Sequence, residues 1–427
     1  MKVLIVSHNC FSTTQSMGKT FASLFSEFAA DELMQLYLYP TLPNTAQCTN
    51  LFRITDREIL NSLQHHNQKC GRVIHPDEIK SDNALYENSA ISEAYQKTRN
   101  AELLARRARD VMWTLGNWKS EALKSWLLEG KPDVVFYALG DAIFSQNIAM
   151  WVADFLKIPM VTYVCDEFYY YYRHLRNPFA RMLCVPLARN IKKTIMRSTR
   201  LVTICEEQGE AYEKTFGVPY TTIMTGSSFP AGSLGSDENA KQVSYIGNLA
   251  LNRWKSMQEI ATVLKQINKE LNEDYKLVYY GSKNNHLDGF AEYGGRLNPA
   301  QIQEVMNKSR LLIHTESFDE EYRDRLRYSI STKIADSLAS GNCLFAYGPE
   351  ELASFHYLHE QGCAFVCGSK VELYDTLVDA LRNNEHRQTR KEKAYESAKK
   401  YHDSRVNSEK LKNVLESYES SASKLCL

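Results

Sequence analysis

The sequence predicts an α/β protein of two doubly wound domains. Three observations carry that prediction. Short, continuous apolar runs recur along the chain, as expected for strands buried on both faces of a parallel sheet. Helix-length segments separate them. A Gly-, Ser- and Pro-rich stretch, Thr225–Asn239, interrupts the series, which then restarts. A length of 427 residues suits two or three domains, each able to bury a core.

The first strand is expected at residues 2–6 (KVLIV). Asp133–Ala138 follows Lys131-Pro132, Met160–Val164 follows Pro159, and Leu201–Cys205 closes the first series. Helices are expected over 143–157 and 181–198. In the second series Val243–Ile246 ends on Gly247, a helix spans about 254–271, and Leu277–Tyr280 ends on Gly281. Leu311–His314, Cys343–Ala346 and Ala364–Val366 continue it, and a charged helical region fills 371–420. The expected organisation is a first domain over 1–228, a linker over 229–241, a second domain over 242–400, and a terminal helix over 401–427 that returns to the first domain. Each domain is Rossmann-like, and ligands are expected at the carboxyl ends of the strands, in a cleft where the domains face each other.

Composition excludes several classes. With 51 basic and 51 acidic side chains the formal charge is zero, which argues against a dedicated nucleic-acid binder. No run of about 18 apolar residues suggests a transmembrane helix. The apolar start is too short for a signal peptide, so a cytoplasmic protein is expected. The ten cysteines are scattered. Their closest pair, Cys363 and Cys367, has no second pair to complete a zinc site, so structural thiols and no metal are expected.

Ser16-Met17-Gly18-Lys19-Thr20 resembles the tail of a phosphate loop, but position 13, where the upstream glycine belongs, is Thr13. The segment is expected as a loop after the first strand, with Ser16, Met17 and Gly18 offering backbone amides on the acceptor side. No GxGxxG follows a strand, which disfavours a nicotinamide or flavin enzyme. No Asp-x-Asp occurs, which disfavours a divalent metal holding a diphosphate on paired carboxylates.

Gly247-Asn248 precede Arg253 and Lys255 at a helix start. Cations there oppose the macrodipole, so an anionic ligand such as a diphosphate is expected to supply the missing charge. Ser329–Gly341 reads as a capped helix with Ser331 or Thr332 at its N-cap. Its free amides and Lys333 suit a phosphate, and Asp336 one turn on suits ribose hydroxyls. Tyr280 and Gly281 end the neighbouring strand on the same edge. Glu316 leaves a strand at its carboxyl end and points into the cleft. Phe318–Arg327 carries seven charged residues and is expected as an exposed loop, with a lid or a plain solvated loop as its two readings. Asp166 and Glu167 end a strand on the acceptor side. From Phe168 to Cys205 there are eight basic residues and no acidic one. With the aromatic run at 168–172, that asymmetry suits anionic lipid headgroups, an anionic acceptor, or cations paired with acids elsewhere.

Together these features resemble a GT-B-fold glycosyltransferase, in particular the large retaining family numbered four. The resemblance covers nearly the whole chain and is strongest from Val243 to Val366. It implies that Gly247, Arg253 and Lys255 hold the donor diphosphate. Asp336–Gly341 is similar to the family's Glu-Ala-Met-Ala-x-Gly helix, whose acid binds the donor ribose. The family's second glutamate, eight residues earlier, is replaced by Tyr328. Ser331-Thr332-Lys333 instead resembles a Ser-x-Lys variant of polysaccharide-assembling members, with Glu316 a substitute carboxylate.

The expected function is therefore metal-independent transfer of a sugar, with the retention of configuration that the resemblance implies, from a nucleoside diphosphate donor to a hydroxyl of a glycan, lipid-linked or protein acceptor. Arg253, Lys333 and Glu316 are the expected catalytic residues, and the nucleotide sugar is a substrate, not a cofactor. Contact with an anionic membrane through 168–200 would place the protein on the inner face. The alternatives are a catalytically silent nucleotide-sugar-binding subunit or scaffold, and a nucleotide-sugar epimerase or hydrolase on the same fold.

Overall fold

The computed structural model describes residues 1–13, 16–65, 70–79, 99–232 and 240–422, so 233–239 of the expected linker and the last five residues lie outside it. The chain forms two compact units. One holds residues 1–223 and 408–427, the other 224–407.

The first unit contains strands β1 (Val3–Ser7), β2 (Leu33–Tyr37), β3 (Asn50–Arg53), β4 (Arg72–Ile74), β5 (Val134–Ala138), β6 (Met160–Val164), β7 (Arg200–Thr203) and β8 (Tyr220–Thr222). Their order in the sheet is β4-β3-β2-β1-β5-β6-β7-β8, parallel throughout except that β4 runs against β3. In register, Val3 lies beside Leu33 on one side and Val134 on the other. Every residue of β1, β2, β5 and β6 is buried. That explains their continuous apolar runs, since helices cover both faces. One face carries Leu4, Val6 and Tyr137 against Trp113, Phe144 and Ile148. β2 escapes sequence reading because Gln35 breaks its run. The amide is fully buried and satisfied, donating to Ser7 Oγ at 2.9 Å and to the Asn9 carbonyl at 3.1 Å, and accepting from Phe11 N–H at 3.2 Å.

The second unit contains β9 (Gln242–Ile246), β10 (Lys276–Tyr280), β11 (Glu292–Tyr293), β12 (Leu311–Thr315), β13 (Leu344–Tyr347) and β14 (Phe365–Cys367), in the order β11-β10-β9-β12-β13-β14, all parallel. Val243, Tyr245, Ile313 and Phe345 pack on Met257, Ile260 and Leu264 of helix Arg253–Leu271. Residues 224–232 run with this unit. Ser227 N–H donates to the His402 carbonyl at 2.8 Å, and Gly232 N–H to the Ala339 carbonyl at 2.8 Å.

Two expectations are corrected. The segment at Ser16-Met17-Gly18 is not a loop but the first turn of helix Ser16–Leu24. Gly18 is required there, because a Cβ would fall 2.7 Å from the Cys10 carbonyl oxygen. Phe318–Arg327 is not a loop either. It contains helix Glu320–Leu326, anchored by buried Leu326, and its charge density is that of a solvated helix face. The region 371–420 forms three helices, Leu373–Arg382, Asn384–Tyr401 and Ser404–Ala422. The nine described cysteines are free thiols. Among the described residues no helix is long and apolar enough to cross a membrane.

Candidate functional site

In an open parallel sheet, ligands bind beyond the carboxyl ends of the strands, where strand order reverses. In the second unit that point lies between β9 and β12. A cavity of about 50 Å³ opens there, lined among others by Arg253, His314, Glu316, Ser331 and Lys333. It has room for a few water molecules.

Glycine permits the close approach that builds the floor. A Cβ on Gly247 would fall 2.2 Å from Lys333 Nζ, so only glycine lets the ammonium lie against the end of β9. Gly281, at φ +137°, has the same duty toward the chain: its Cβ would meet the Gly247 carbonyl oxygen at 2.4 Å.

The two cations at the start of helix Arg253–Leu271 do not wait for a ligand. Arg253 holds Glu316 in a bidentate pair, Nε to Oε2 at 2.7 Å and Nη2 to Oε1 at 2.9 Å. Lys255 Nζ lies 2.8 Å from Asp319 Oδ2, which also accepts from Asn252 Nδ2 at 2.7 Å. The protein therefore supplies the anions that the sequence reading assigned to a diphosphate. Glu316 is buried at 5% exposure, and burial pushes its carboxyl above the usual range, opposed by the guanidinium.

Lys333 differs. Among the described residues its ammonium has no carboxylate within ion-pair distance. Burial first, and Arg253 second, bring it down to about 8. It stands in the first turn of helix Thr332–Ala339, where Ser331 is the N-cap, its Oγ accepting from Lys333 N–H at 3.4 Å. The cluster of Arg253, Glu316 and Lys333 thus carries one surplus positive charge at a helix start, where Ser331 already takes the Lys333 and Ile334 amides on its Oγ and carbonyl. His314, buried at 7% exposure, adds no charge. Burial, then Arg253 and Lys333, bring it down to about 3, and its Nε2 finds no partner among the described residues.

The remaining predicted residues are placed as follows. Asn248 turns its side chain on its own loop, accepting from Ala250 N–H at 2.7 Å. Tyr280 is a core residue whose hydroxyl accepts from Gln242 Nε2 at 3.0 Å. Thr332 is exposed. Asp336 is engaged by the segment before the linker: Ser228 N–H donates to Oδ1 at 2.7 Å and Ser227 Oγ at 3.2 Å. In the first unit Asp166 is exposed, whereas Glu167 is buried and internal, accepting from Tyr170 N–H at 2.7 Å and from the Tyr212 hydroxyl at 3.3 Å. The structure brings Gly247, Arg253, Glu316, Ser331 and Lys333 together. It does not bring Ser16, Met17 or Gly18 into a loop, nor leave Glu167 open. Sequence reasoning missed His314 as a site residue. Its signal was a lone histidine closing an apolar strand.

Residues 258–413 match a family described as glycosyl transferase-like, which covers most of the second unit. None of the curated proteins matches the sequence. Solved structures match over the whole chain at low identity. Alr3699/HepE of Anabaena, solved in complex with UDP, has 11% identity and a TM-score of 0.59, over 98% of this chain and 100% of that one. An α,α-trehalose-phosphate synthase (UDP-forming) of Burkholderia xenovorans, solved with glucose-6-phosphate, has 10% identity and a TM-score of 0.63, over 97% and 100%. WaaG, a glycosyltransferase involved in lipopolysaccharide biosynthesis, has 12% identity and a TM-score of 0.55, over 97% and 99%. The fold of this chain is that of the GT-B glycosyltransferases.

Proposed function

We propose that this GT-B-fold chain is a glycosyltransferase that moves a sugar from a nucleoside diphosphate donor, UDP-linked in the first instance, to a hydroxyl acceptor. The observation that carries the reading is the surplus charge at the β9–β12 switch point. Lys333 is a half-buried ammonium with no carboxylate partner among the described residues, set at the start of a helix and against Gly247. That arrangement suits a phosphate group, which accepts charge-assisted hydrogen bonds from the ammonium and is favoured by the helix dipole. The cavity is too small for a diphosphate, so the phosphates would lie at its mouth over Ser331 and Lys333. As the glycosidic bond to the departing diphosphate breaks, negative charge grows on its oxygen. A fixed cation there stabilises it most in a dry site.

Arg253 acts through Glu316 in this reading. The pair fixes the guanidinium beside Lys333, where, after burial, it lowers the ammonium's proton affinity while Glu316 opposes it. Retention of configuration, independence of divalent metal and the ribose role of Asp336 belong to the same proposal. Support for UDP comes from HepE, whose complex contains it. The acceptor is a glycan, lipid-linked or protein hydroxyl. Peripheral membrane contact is also proposed for helix Pro178–Arg197, which exposes Phe179, Met182 and Met196 among Arg181, Arg189, Lys192 and Lys193. Loss of binding to anionic vesicles in Arg189→Glu with Lys193→Glu checks that contact.

A second reading, a silent nucleotide-sugar binder, is favoured by one observation. Tyr328, at the position of the family's glutamate, is 9% exposed. Thermal shift with UDP, GDP, ADP, dTDP and CDP, with and without EDTA, tests donor binding. The proposal predicts stabilisation by one of them, unchanged by EDTA. At about 100 times its dissociation constant a ligand stabilises by roughly 2.7 kcal/mol. A nucleotide that binds while its sugar conjugates never turn over would favour the silent reading.

A further inference from the structure

The first unit has its own switch point, between β1 and β5, and helix Ile143–Leu156 starts just past it. Farther along that helix lies a groove of about 510 Å³, shared with the end of helix Arg99–Leu115 and with Lys193 of helix Pro178–Arg197. Trp151 stands eight residues past the helix start, about 12 Å along the axis, so the groove runs away from the strand ends. Three of the chain's five tryptophans line it. Trp113 is its floor, fully buried and stacked on Phe144 with ring centroids 4.4 Å apart. Trp118 and half-buried Trp151 form the wall, edge to face at 5.2 Å, and Phe155 backs the Trp151 ring at 5.0 Å. The exposed Lys119 ammonium rests over both indoles, 5.1 Å from the Trp118 centroid and 5.6 Å from that of Trp151. An exposed ammonium reaches a ring only where the ring is open, so these faces are accessible. The side-chain amides of Asn117 and Asn147 make no hydrogen bond among the described residues. Asp154 is answered by Arg197 at 2.8 Å, whereas Lys119 and Lys193 have no carboxylate partner among the described residues. The rim therefore carries two unmatched cations.

We infer that this groove binds an acidic oligosaccharide, a glycan whose sugars carry carboxylates. The site is separate from the donor cavity and stands without the glycosyltransferase reading. A pyranose ring has an apolar face of C–H bonds and a rim of hydroxyls. The electron-rich faces of Trp118 and Trp151 suit the first, because their negative quadrupole attracts C–H groups. The amides of Asn117 and Asn147 suit the second, because each both donates and accepts. A groove walled by aromatics with a few convergent polar groups is the ordinary form of a ligand site. Charge then decides among glycans. A neutral chain would leave Lys119 and Lys193 unanswered, whereas carboxylates on successive sugars would meet them, Lys119 swinging off the indoles as a ring takes its place. The groove is concave, with Trp113 at its base, so a flat bilayer reaches its rim and not its wall.

The test is fluorine NMR on the full chain labelled with 5-fluorotryptophan. The Trp151 and Trp254 signals are assigned through Trp151→Phe and Trp254→Phe, and Trp254, in the other unit, serves as the control. The probes are oligogalacturonate, hyaluronan oligosaccharide, maltooligosaccharide of the same length, and vesicles of anionic lipid. At least one acidic glycan is expected to move the Trp151 signal and leave Trp254 in place. It should bind about three- to tenfold tighter than the neutral chain at low salt, and the margin should shrink as salt is raised. Lys119→Ala with Lys193→Ala changes two exposed side chains. It should leave the melting temperature unchanged and bring the acidic glycan down to the neutral level. Silence of both acidic glycans at Trp151 overturns the inference. So does a neutral chain that binds as tightly, or a preference for acid that survives in the double variant. Vesicles that move Trp151 where the glycans do not would assign the groove to a membrane face instead.

Discussion

The two switch points use the same parts with different charge arithmetic. Each places a neutral histidine at the end of a strand, half-buried His8 after β1 and buried His314 within β12. Each lowers that histidine with nearby cations, and each pairs arginine with carboxylate: Arg106 with Asp141, Arg253 with Glu316. The first point pairs every arginine of its cluster with an acid and has one acid more than arginines. The second leaves Lys333 over. A surplus cation at a helix start suits phosphate. One half-buried lysine therefore separates the charge of the two switch points on similar scaffolds.

The sharpest way to break the comparison is to unbalance the second point. Glu316→Ala leaves the Arg253 guanidinium buried without its partner, and should destabilise the protein by about 3–5 kcal/mol. Thermal melting checks this. A loss under about 1 kcal/mol would mean that the pair opens to solvent.

Removing the surplus has the opposite sign on the free protein. Lys333→Met should raise the melting temperature without nucleotide, because it removes a cation whose proton affinity is lowered by burial. The same change should weaken UDP binding by about 1.5–3 kcal/mol, read by calorimetry. Stabilisation without loss of UDP affinity would detach Lys333 from the phosphate.

The pH profile sharpens the contrast further. The Lys333 ammonium is charged below about pH 8 and neutral above it. Its folded-state value lies under its unfolded one, so its charged form opposes folding, and that penalty fades as pH rises through this range. UDP affinity should move the other way and fall above pH 8. The smallest effect is expected at Lys255. Its pair with Asp319 is solvent-exposed, so Lys255→Ala should change stability by about 0–1 kcal/mol.

Much of this was legible in the sequence, for a definite reason. Strands buried on both faces, such as VLIVS and MVTYV, advertise themselves as apolar runs. The helix after Ser331 was legible from its cap and closing glycine. What stayed hidden depends on contacts distant in sequence. Arg253 and Glu316 are 63 positions apart, so the acid that answers the cation could not be read locally. His8, Arg106 and Asp141 meet only through the sheet order. Gln35 hid β2 because its amide is satisfied by the loop after β1, which is a tertiary fact. The charges at 319–327 looked like a loop because one buried residue, Leu326, suffices to anchor so short a helix.

The most direct measurement is the proton count of UDP binding. Calorimetry just above pH 8, repeated in buffers of different ionisation enthalpy, reads the protons taken up. If the phosphates settle on Lys333, they raise its proton affinity, and binding draws protons from solution. The uptake should vanish in Lys333→Met. Binding with no uptake, or uptake that survives in the variant, would place the nucleotide elsewhere and contradict the contrast between the two switch points.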